Sequence, residues 1–548
     1  MQALKSKLSW DIIPYVFVLP ALWLFYSTAV STSWARIDSL QTIEPYAMAV
    51  HEQLMRNFSE TGSWFQTVHR GYDDAWTWSG HRALTLPIAA WFYGWSPSAL
   101  WLSKILILGV MSGAIPAGLI ARRQYSNTGN GHWAFLWGAL VYLSMPGTMA
   151  IALQDYQDLC FALPFLVWAW NFFESGWLIA AIVGALFGIA PREETIPMAI
   201  FCAVMARPML DGVWQWKQQV RNLAVVLIVA GIYVWWAQKY HPLDSGGHDM
   251  PLQNALGSLG QKRIFLEGWV YHTRFYALVF IPLGLLAWFA PLVAAPAVAL
   301  CVLHMSVPDG HGVDRSWSGH CHHMAPALAF STIAIVIGGT RVGRWLTFPK
   351  FAAWRWVLPA VLAVGTLGWS RWWWLEWSDY YNLVVSSRVQ QPEWTHPAWT
   401  LKETFLETQS EESILVVNKN TALVASDQLR SYTLDESIFG KEPRKGLGAG
   451  DCIIFDERRR DISTYVQRMQ GADRVSAEGT FGLWCWSSTS VDTGVMKKTR
   501  FKPAQVHTGT YKKGSDIPGA APREQKISAQ MGSFPVVNLD TWSIEGTW

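Results

Sequence analysis

The chain has 548 residues, 51% hydrophobic and only 15% charged, well below the ~25% charge of an ordinary soluble domain. That composition excludes a disordered chain, and a net charge of +3 excludes a nucleic-acid-coating one. The averages hide two unlike parts: residues 376–548 hold 42 of the 83 charged residues, while residues 1–375 hold 28 of the 35 tryptophans. We therefore expect a membrane domain over 1–375, an outward α/β domain over 376–490, and an extended or disordered tail over 491–548.

A bilayer-spanning helix needs ~20 apolar residues to cross ~30 Å of hydrocarbon. Runs near that length follow one another at 13–31, 98–121, 133–153, 159–173, 177–190, 195–206, 223–239, 275–288, 290–305, 323–339 and 356–374. The expected fold class is an α-helical polytopic membrane protein with eleven spans. No small-residue cleavage pattern follows the first run, so it reads as an anchor. Lys5 and Lys7 precede the first span, Arg122 and Arg123 close the second, and Arg207, Lys217 and Arg221 precede the seventh. With Arg341, Arg344, Lys350 and Arg355 they fall on one side of an odd count, which the positive-inside bias makes cytoplasmic. The N-terminus is then cytoplasmic, and the loops 32–97, 240–274 and 306–322 face outward with everything after 375. Trp91, Trp95, Trp101, Trp235, Trp236 and Trp372 to Trp374 flank spans, where indoles anchor at the interface. Trp64, Trp76 and Trp78 lie in the outward loop and stay open to a sugar-stacking role.

Within the first outward loop, Ile43, Ala47, Val50, Leu54 and Phe58 form one apolar stripe at helical spacing. Pro45 suits a first helical turn. An amphipathic helix on the membrane surface follows, with Glu44 at its start. A carboxylate there can take a proton from an acceptor hydroxyl; the structural alternative is an acid favoured by the helix dipole.

Further polar groups sit at outward ends of spans. Asp155-Tyr156-Gln157-Asp158 joins spans three and four, Arg192-Glu193-Glu194 interrupts an apolar stretch, and Lys104 lies inside the second span. His320, His322 and His323 open the tenth. Ionisable groups at membrane depth are costly, so each is a functional candidate. The competing readings are an ion pair of Arg192 with Glu193 or Glu194, and a Lys104 that snorkels to the interface. His311, His320 and His323, with Asp309 and Asp314, are weak candidate ligands for a divalent metal, since their spacing matches no standard site.

In the outward part, Ser413–Val417, Ser431–Leu434, Asp451–Asp456 and Gly482–Ser487 read as strands and Asp461–Gln470 as a helix. Gly446-Leu447-Gly448-Ala449-Gly450 precedes a strand where a dinucleotide fingerprint follows one, and is rejected as such. Cys452 with Cys485, and Cys301 with Cys321, are each open to a disulfide or to unpaired burial; Cys160 and Cys202 lie in spans and read as inert. From about Thr489 the chain turns to Gly, Pro, Ser, Thr and Lys, a tail suited to wrapping on a protein partner.

Taken in order, these points resemble a bacterial family of multipass membrane proteins of unknown function, placed with the glycosyltransferase-C (GT-C) superfamily. The family's acid and Gln on the first-loop helix are matched by Glu44 and Gln53, and its His before a Pro-containing apolar segment by His81-Arg82-Ala83-Leu84-Thr85-Leu86-Pro87. Its D-F-H-P-E-x-L-A-x-P segment is matched by Asp155-Tyr156-Gln157-Asp158 with Ala162-Leu163-Pro164. Arg192-Glu193-Glu194 stands for a K-E-D triplet, and Cys321-His322-His323-Met324-Ala325-Pro326 for Y-H-Y-x-x-P. The resemblance covers roughly residues 10–490. Ile43 departs from a superfamily Asp, Gln157 from the family's His and Leu159 from its Glu.

The resemblance implies a GT-C-like fold in a bacterial inner membrane, with a periplasmic C-terminal domain, and transfer of a sugar from a polyprenyl-phosphate carrier to an acceptor outside. Glu44 would be the general base, with Asp155 or Asp38 as second acid. Arg192, Lys104 and Arg82 would neutralise the departing lipid phosphate, and His81 and His322 would donate hydrogen bonds, with Glu193 beside them. The lipid-linked sugar is the one cofactor-like molecule implied; the partners are membrane lipid and, through the tail, a protein, with no nucleic acid. A second reading, a non-catalytic membrane subunit of the same fold, draws on Ile43, Gln157 and the tail. A third, a transporter, predicts an internal repeat and mid-membrane polar groups, whereas here the polar groups cluster at outward ends.

Overall fold

A computed structural model describes residues 2–40, 45–62, 83–125, 131–207, 209–210, 213–240, 284–306, 322–346, 395–409, 413–426, 431–433, 449–458, 472–486, 536–538 and 543–545. The described helices are α1 (Gln2–Asp38), α2 (Pro45–Thr61), α3 (Thr85–Tyr93), α4 (Ala99–Ser112), α5 (Ala114–Gln124), α6 (Gly131–Ser144) and α7 (Pro146–Ala152). They continue as α8 (Ala162–Ser175), α9 (Leu178–Ile189), α10 (Ile196–Met205), α11 (Trp216–Tyr240), α12 (Gly284–Ala287), α13 (Pro291–Ser306), α14 (Ala325–Leu346) and α15 (Pro397–Thr408). Contacts divide the chain into two units. The first is Met1–Ser31, Gly80–Leu86 and Lys104–Asn382; the second is Thr32–Ser79, Pro87–Ser103 and Leu383–Trp548.

The first unit is helical, and the protein is a membrane protein: four described helices are long and apolar enough to cross a bilayer, at Ile12–Asp38, Ala99–Gln124, Trp216–Trp236 and Ala325–Arg344. The last is 89% buried against 22% for the first and third, so α14 is the central helix, packed on α5, α8, α12 and α13. Trp23, Leu24, Ile179, Ile228 and Ile232 are exposed apolar side chains of the kind that hydrocarbon covers. Helices α5 and α6 approach closely because their seam is small: a side chain at Gly138 would strike the backbone of Ala117, and one at Gly118 would strike Phe135.

Several expected spans are broken rather than continuous. The run 133–153 divides at Met145, because Pro146 opens α7 and has no N–H to continue α6. In the run 98–121 the segments α4 and α5 meet at Gly113, which keeps helical dihedrals so that Ala99–Gln124 still forms one span, and Tyr142 packs against it. The runs 159–173 and 195–206 each begin with a 3-10 turn, Asp158–Phe161 and Glu193–Thr195, before α8 and α10. The first span extends to Asp38 as α1. Of the run 275–288 only α12 is described, and 356–374 lies outside the described residues.

Helix α8 ends at Gly176, whose φ of +75° forms a left-handed cap. Its last carbonyls are taken by side chains from α5 and α11: Arg123 Nη1 donates to Asn171 O at 2.7 Å, Asn222 Nδ2 to Phe173 O at 2.9 Å and Arg221 Nη2 to Gly176 O at 2.6 Å. Cations at a helix C-terminus also favour the dipole. Arg123 and Arg221, expected only as cytoplasmic markers, are therefore helix caps as well.

The second unit holds a mixed sheet in the order β4-β3-β5-β7-β6, built from β3 (Leu415–Val417), β4 (Ser431–Thr433), β5 (Cys452–Asp456), β6 (Ala472–Glu478) and β7 (Phe481–Trp486). Strands β3, β4 and β5 run parallel, and β5, β7 and β6 antiparallel. Cys452 faces Cys485 across β5 and β7, and the two form a disulfide. Cys160, Cys202 and Cys301 are buried outside that disulfide; Cys321 lies outside the described residues. Ala398, Leu401 and Phe405 of α15 pack on Leu415, Val417, Ile454 and Leu483 of the sheet. The same core includes Ile37, Leu40, Met48, Ala49 and Ala99, so first-loop residues and C-terminal residues fold together. Two small hairpins, β1 (Met209–Leu210) with β2 (Val213–Trp214) and β8 (Val536–Asn538) with β9 (Ser543–Glu545), complete the described strands. The expected helix Asp461–Gln470 lies outside the described residues.

Candidate functional site

Four of the five ordered motifs meet in the first unit. The backbone N–H of Thr85 donates to Ala190 O at 3.3 Å, joining the segment after His81 to the end of α9. The Thr85 hydroxyl donates to Asp158 Oδ1 at 3.3 Å, as does Tyr156 OH at 3.4 Å. Burial, and then the Asp158 charge, pushes the Tyr156 phenol well above its ordinary value, so Tyr156 keeps its proton and donates this hydrogen bond. The 3-10 turn that contains His322 packs against the turn Asp158–Phe161.

Arg192 is the most unusual group in this cluster. It is 3% exposed and precedes the 3-10 turn, where its carbonyl accepts from the Thr195 hydroxyl at 2.7 Å. The side chain does not pair with Glu193 or Glu194, as an ion-pair reading required: Nη2 donates to the Gln157 Oε1 at 3.2 Å instead. Glu194 is exposed and Glu193 half-buried. Among the described residues, Arg192 Nε has no hydrogen-bond partner and no carboxylate pairs with the guanidinium. A guanidinium has five donors and no acceptor, and a buried charge without a counter-charge costs several kcal/mol. The arrangement suits an anion that arrives from elsewhere.

Asp155, Gln157 and Asp158 are buried around this point, at 4%, 6% and 0% exposure. Lys104 is half-buried on α4 within the same unit. Asp38, at the end of α1, falls in the other unit, where its carbonyl accepts from the His396 backbone N–H at 2.8 Å. Glu44, His81, Arg82, His311 and His320 lie outside the described residues, as does the side chain of His322. His323 is half-buried, and no metal-holding group of three side chains occurs among the described residues.

Sequence reasoning missed a second polar cluster, on α2. The expected amphipathic helix is present, with Pro45 in its first turn, but its polar face does not meet water. His51, Glu52, Gln53 and Asn57 are 6%, 3%, 1% and 3% exposed, while Ala47, Val50 and Phe58 of the apolar stripe are only half-buried. The reason is that the polar face has polar partners. Glu52 accepts from the Ser426 hydroxyl at 2.6 Å and from Tyr93 OH at 3.2 Å, with Arg56 at 3.9 Å; Gln53 donates to Ser431 Oγ at 3.5 Å. Burial, and then the Glu52 charge, raises the Tyr93 phenol far above its ordinary value. Adjacent Glu52 and Gln53, one helix position from the apolar stripe, were the available signal. Ser426 and Ser431 lie 374 and 378 residues away and left none.

No family model and no curated protein matches the sequence. Solved structures do match by shape. ArnT from Cupriavidus metallidurans in the apo state is similar with a TM-score of 0.50 at 11% identity, over 87% of this chain and 98% of that one. The same protein bound to undecaprenyl phosphate gives 0.44 at 11%, over 84% and 97%. The archaeal oligosaccharyltransferase AglB from Archaeoglobus fulgidus, in complex with an inhibitory peptide and a dolichol-phosphate, gives 0.36 at 10%, over 85% and 74%. The first likeness is one of fold alone.

Proposed function

We propose that the chain is a membrane glycosyltransferase that moves a sugar from a polyprenyl-phosphate donor to an acceptor at the outer face of the inner membrane. The observation that carries this reading is Arg192, a buried guanidinium held by a neutral oxygen with its Nε unpartnered among the described residues. The fold likeness to ArnT supports it, since that protein has also been solved with undecaprenyl phosphate bound. The disulfide Cys452–Cys485 supports an outward-facing second unit, because disulfides persist in oxidising compartments.

In the reaction the acceptor hydroxyl oxygen bonds to the anomeric carbon of the sugar. The bond from that carbon to the phosphate oxygen breaks, and the lipid phosphate leaves with the electron pair. Glu44 takes the hydroxyl proton, with Asp155 or Asp38 as second acid. Arg192, Lys104 and Arg82 neutralise the charge that grows on the leaving phosphate, the main electrostatic demand of the step. His81 and His322 donate hydrogen bonds to phosphate or sugar, with Glu193 beside them, and the α/β sheet orients the acceptor.

The test is transfer of a labelled sugar from a polyprenyl-phosphate carrier by purified protein. Glu44→Gln and Arg192→Ala should each abolish transfer; full retention in both contradicts the reading. A wild-type chain that binds the phosphate lipid, transfers nothing and purifies in a stoichiometric complex is instead the non-catalytic subunit.

A further inference from the structure

We infer that Gln157 is a positioning residue whose neutrality keeps the Arg192 charge available to a phosphate monoester. The inference rests on the function proposed above and names what prepares its anion site. Arg192 Nη2 can only donate, so the Gln157 atom it meets at 3.2 Å is the amide oxygen. That contact fixes one edge of the guanidinium without cancelling its charge. Both groups are buried, at 3% and 6% exposure, so neither is screened by bulk water.

The surroundings show that a neutral partner is a choice of residue and not the lack of acids. Asp155 and Asp158 flank Gln157 in sequence, and Glu193 and Glu194 follow Arg192, yet none of the four pairs with it. Asp158 is occupied instead by Thr85 and Tyr156. A carboxylate at position 157 would form a buried ion pair at the same distance. An incoming phosphate would then have to displace or share that pair, which is the repulsive arrangement a specific anion site avoids. An apolar residue there would leave the charge but release the guanidinium from its orientation, weakening two-point contact with the phosphate.

The experiment measures binding of undecaprenyl phosphate to the purified full chain in detergent, beside undecaprenol and inorganic phosphate, for wild type, Gln157→Glu, Gln157→Ala and Arg192→Ala. Wild type should prefer undecaprenyl phosphate over undecaprenol; competition by inorganic phosphate alone would mark the free anion as the ligand. Gln157→Glu should bind at least ~10-fold more weakly, and Gln157→Ala by a smaller factor of about 2–5. The Gln157→Glu deficit should shrink as pH falls through the titration of the new carboxyl, whereas the Gln157→Ala deficit should not. A loss of packing would not produce that difference in pH profile. If Gln157→Glu fails to fold, the Gln157→Ala deficit still decides, because affinity equal to wild type overturns the inference. Equal affinities in all three Gln157 forms, with Arg192→Ala still defective, would overturn it alone. Absence of phosphate-lipid binding in wild type would overturn the reading of the site, and this inference with it.

Discussion

At the residue scale, each buried charge is governed by what it meets. Glu52 lies 3% exposed and is satisfied by Ser426 and Tyr93. A hydrogen bond to a charged group contributes ~1.5–3 kcal/mol. Ser426→Ala should therefore lower the melting temperature more than Tyr93→Phe, whose 3.2 Å contact is longer; the reverse order, read by thermal melting, would contradict this assignment. Asp456 gives a pH signature. Partial burial alone would raise its carboxyl, but the Arg458 guanidinium, bidentate at 2.9 and 2.6 Å, outweighs that and holds it below its ordinary value. A carboxylate depressed in the folded state stabilises the fold above its unfolded pKa of ~3.9 and loses that contribution as pH falls. Wild type and Arg458→Ala should thus differ in melting temperature near neutrality and converge below about pH 4. A gap that persists or widens in acid would refute the pairing. Little of this was legible beforehand: Arg192 and Gln157 stood out in the sequence, but which acid or amide Arg192 would meet depended on the turn geometry of 154–158 and 191–195.

At the element scale, legibility followed local chemistry. Apolar runs located α9 and α13 to within a residue and α11 and α14 with one end displaced by seven, and Pro146 and Gly113 carried signals for the junctions that the apolar runs smoothed over. Helix α15 was readable and missed: Pro397 at its start and Ala398, Leu401 and Phe405 at helical spacing form its buried face. Strand β6 was not readable. Ala472–Glu478 lacks apolar alternation and is mostly exposed, so it exists through pairing with β7 rather than through its own pattern. The polar face of α2 inverted the usual rule for an amphipathic surface helix, since its partners are distant in sequence. The seam between α5 and α6 predicts a packing defect on enlargement. Gly138→Leu places atoms against Ala117 and Ala121, and overpacking of this kind costs about 1–3 kcal/mol. The variant should show reduced detergent-solubilised yield and melting temperature; Gly231→Leu on α11, with nothing within 4 Å of a Cβ, should show neither. Equal behaviour of the two would refute the close approach.

At the scale of the whole molecule, composition divided the chain at residue 375, whereas contacts draw residues 32–79 and 87–103 into the unit with the C-terminal sheet. Composition could not show this, because Ile37, Met48 and Ala99 share a core with Leu415, Val417 and Ile454, residues more than 300 positions away that no local pattern links to them. The disulfide joins strands of that unit across 33 residues, a loop for which cross-linking stabilises by roughly 3–4 kcal/mol. Cys452→Ser with Cys485→Ser should destabilise the sheet while leaving the helical signal of the first unit in place, as read by limited proteolysis and far-UV circular dichroism. Loss of helix in step with the sheet would show the two units to be one cooperative body.

The most direct test of the central claim is a density map of the full chain in a lipid nanodisc with undecaprenyl phosphate. Phosphate density should lie within about 3 Å of the Arg192 guanidinium, on the edge that Gln157 leaves uncovered. A phosphate held elsewhere, with Arg192 engaged by a carboxylate of this chain, would contradict it.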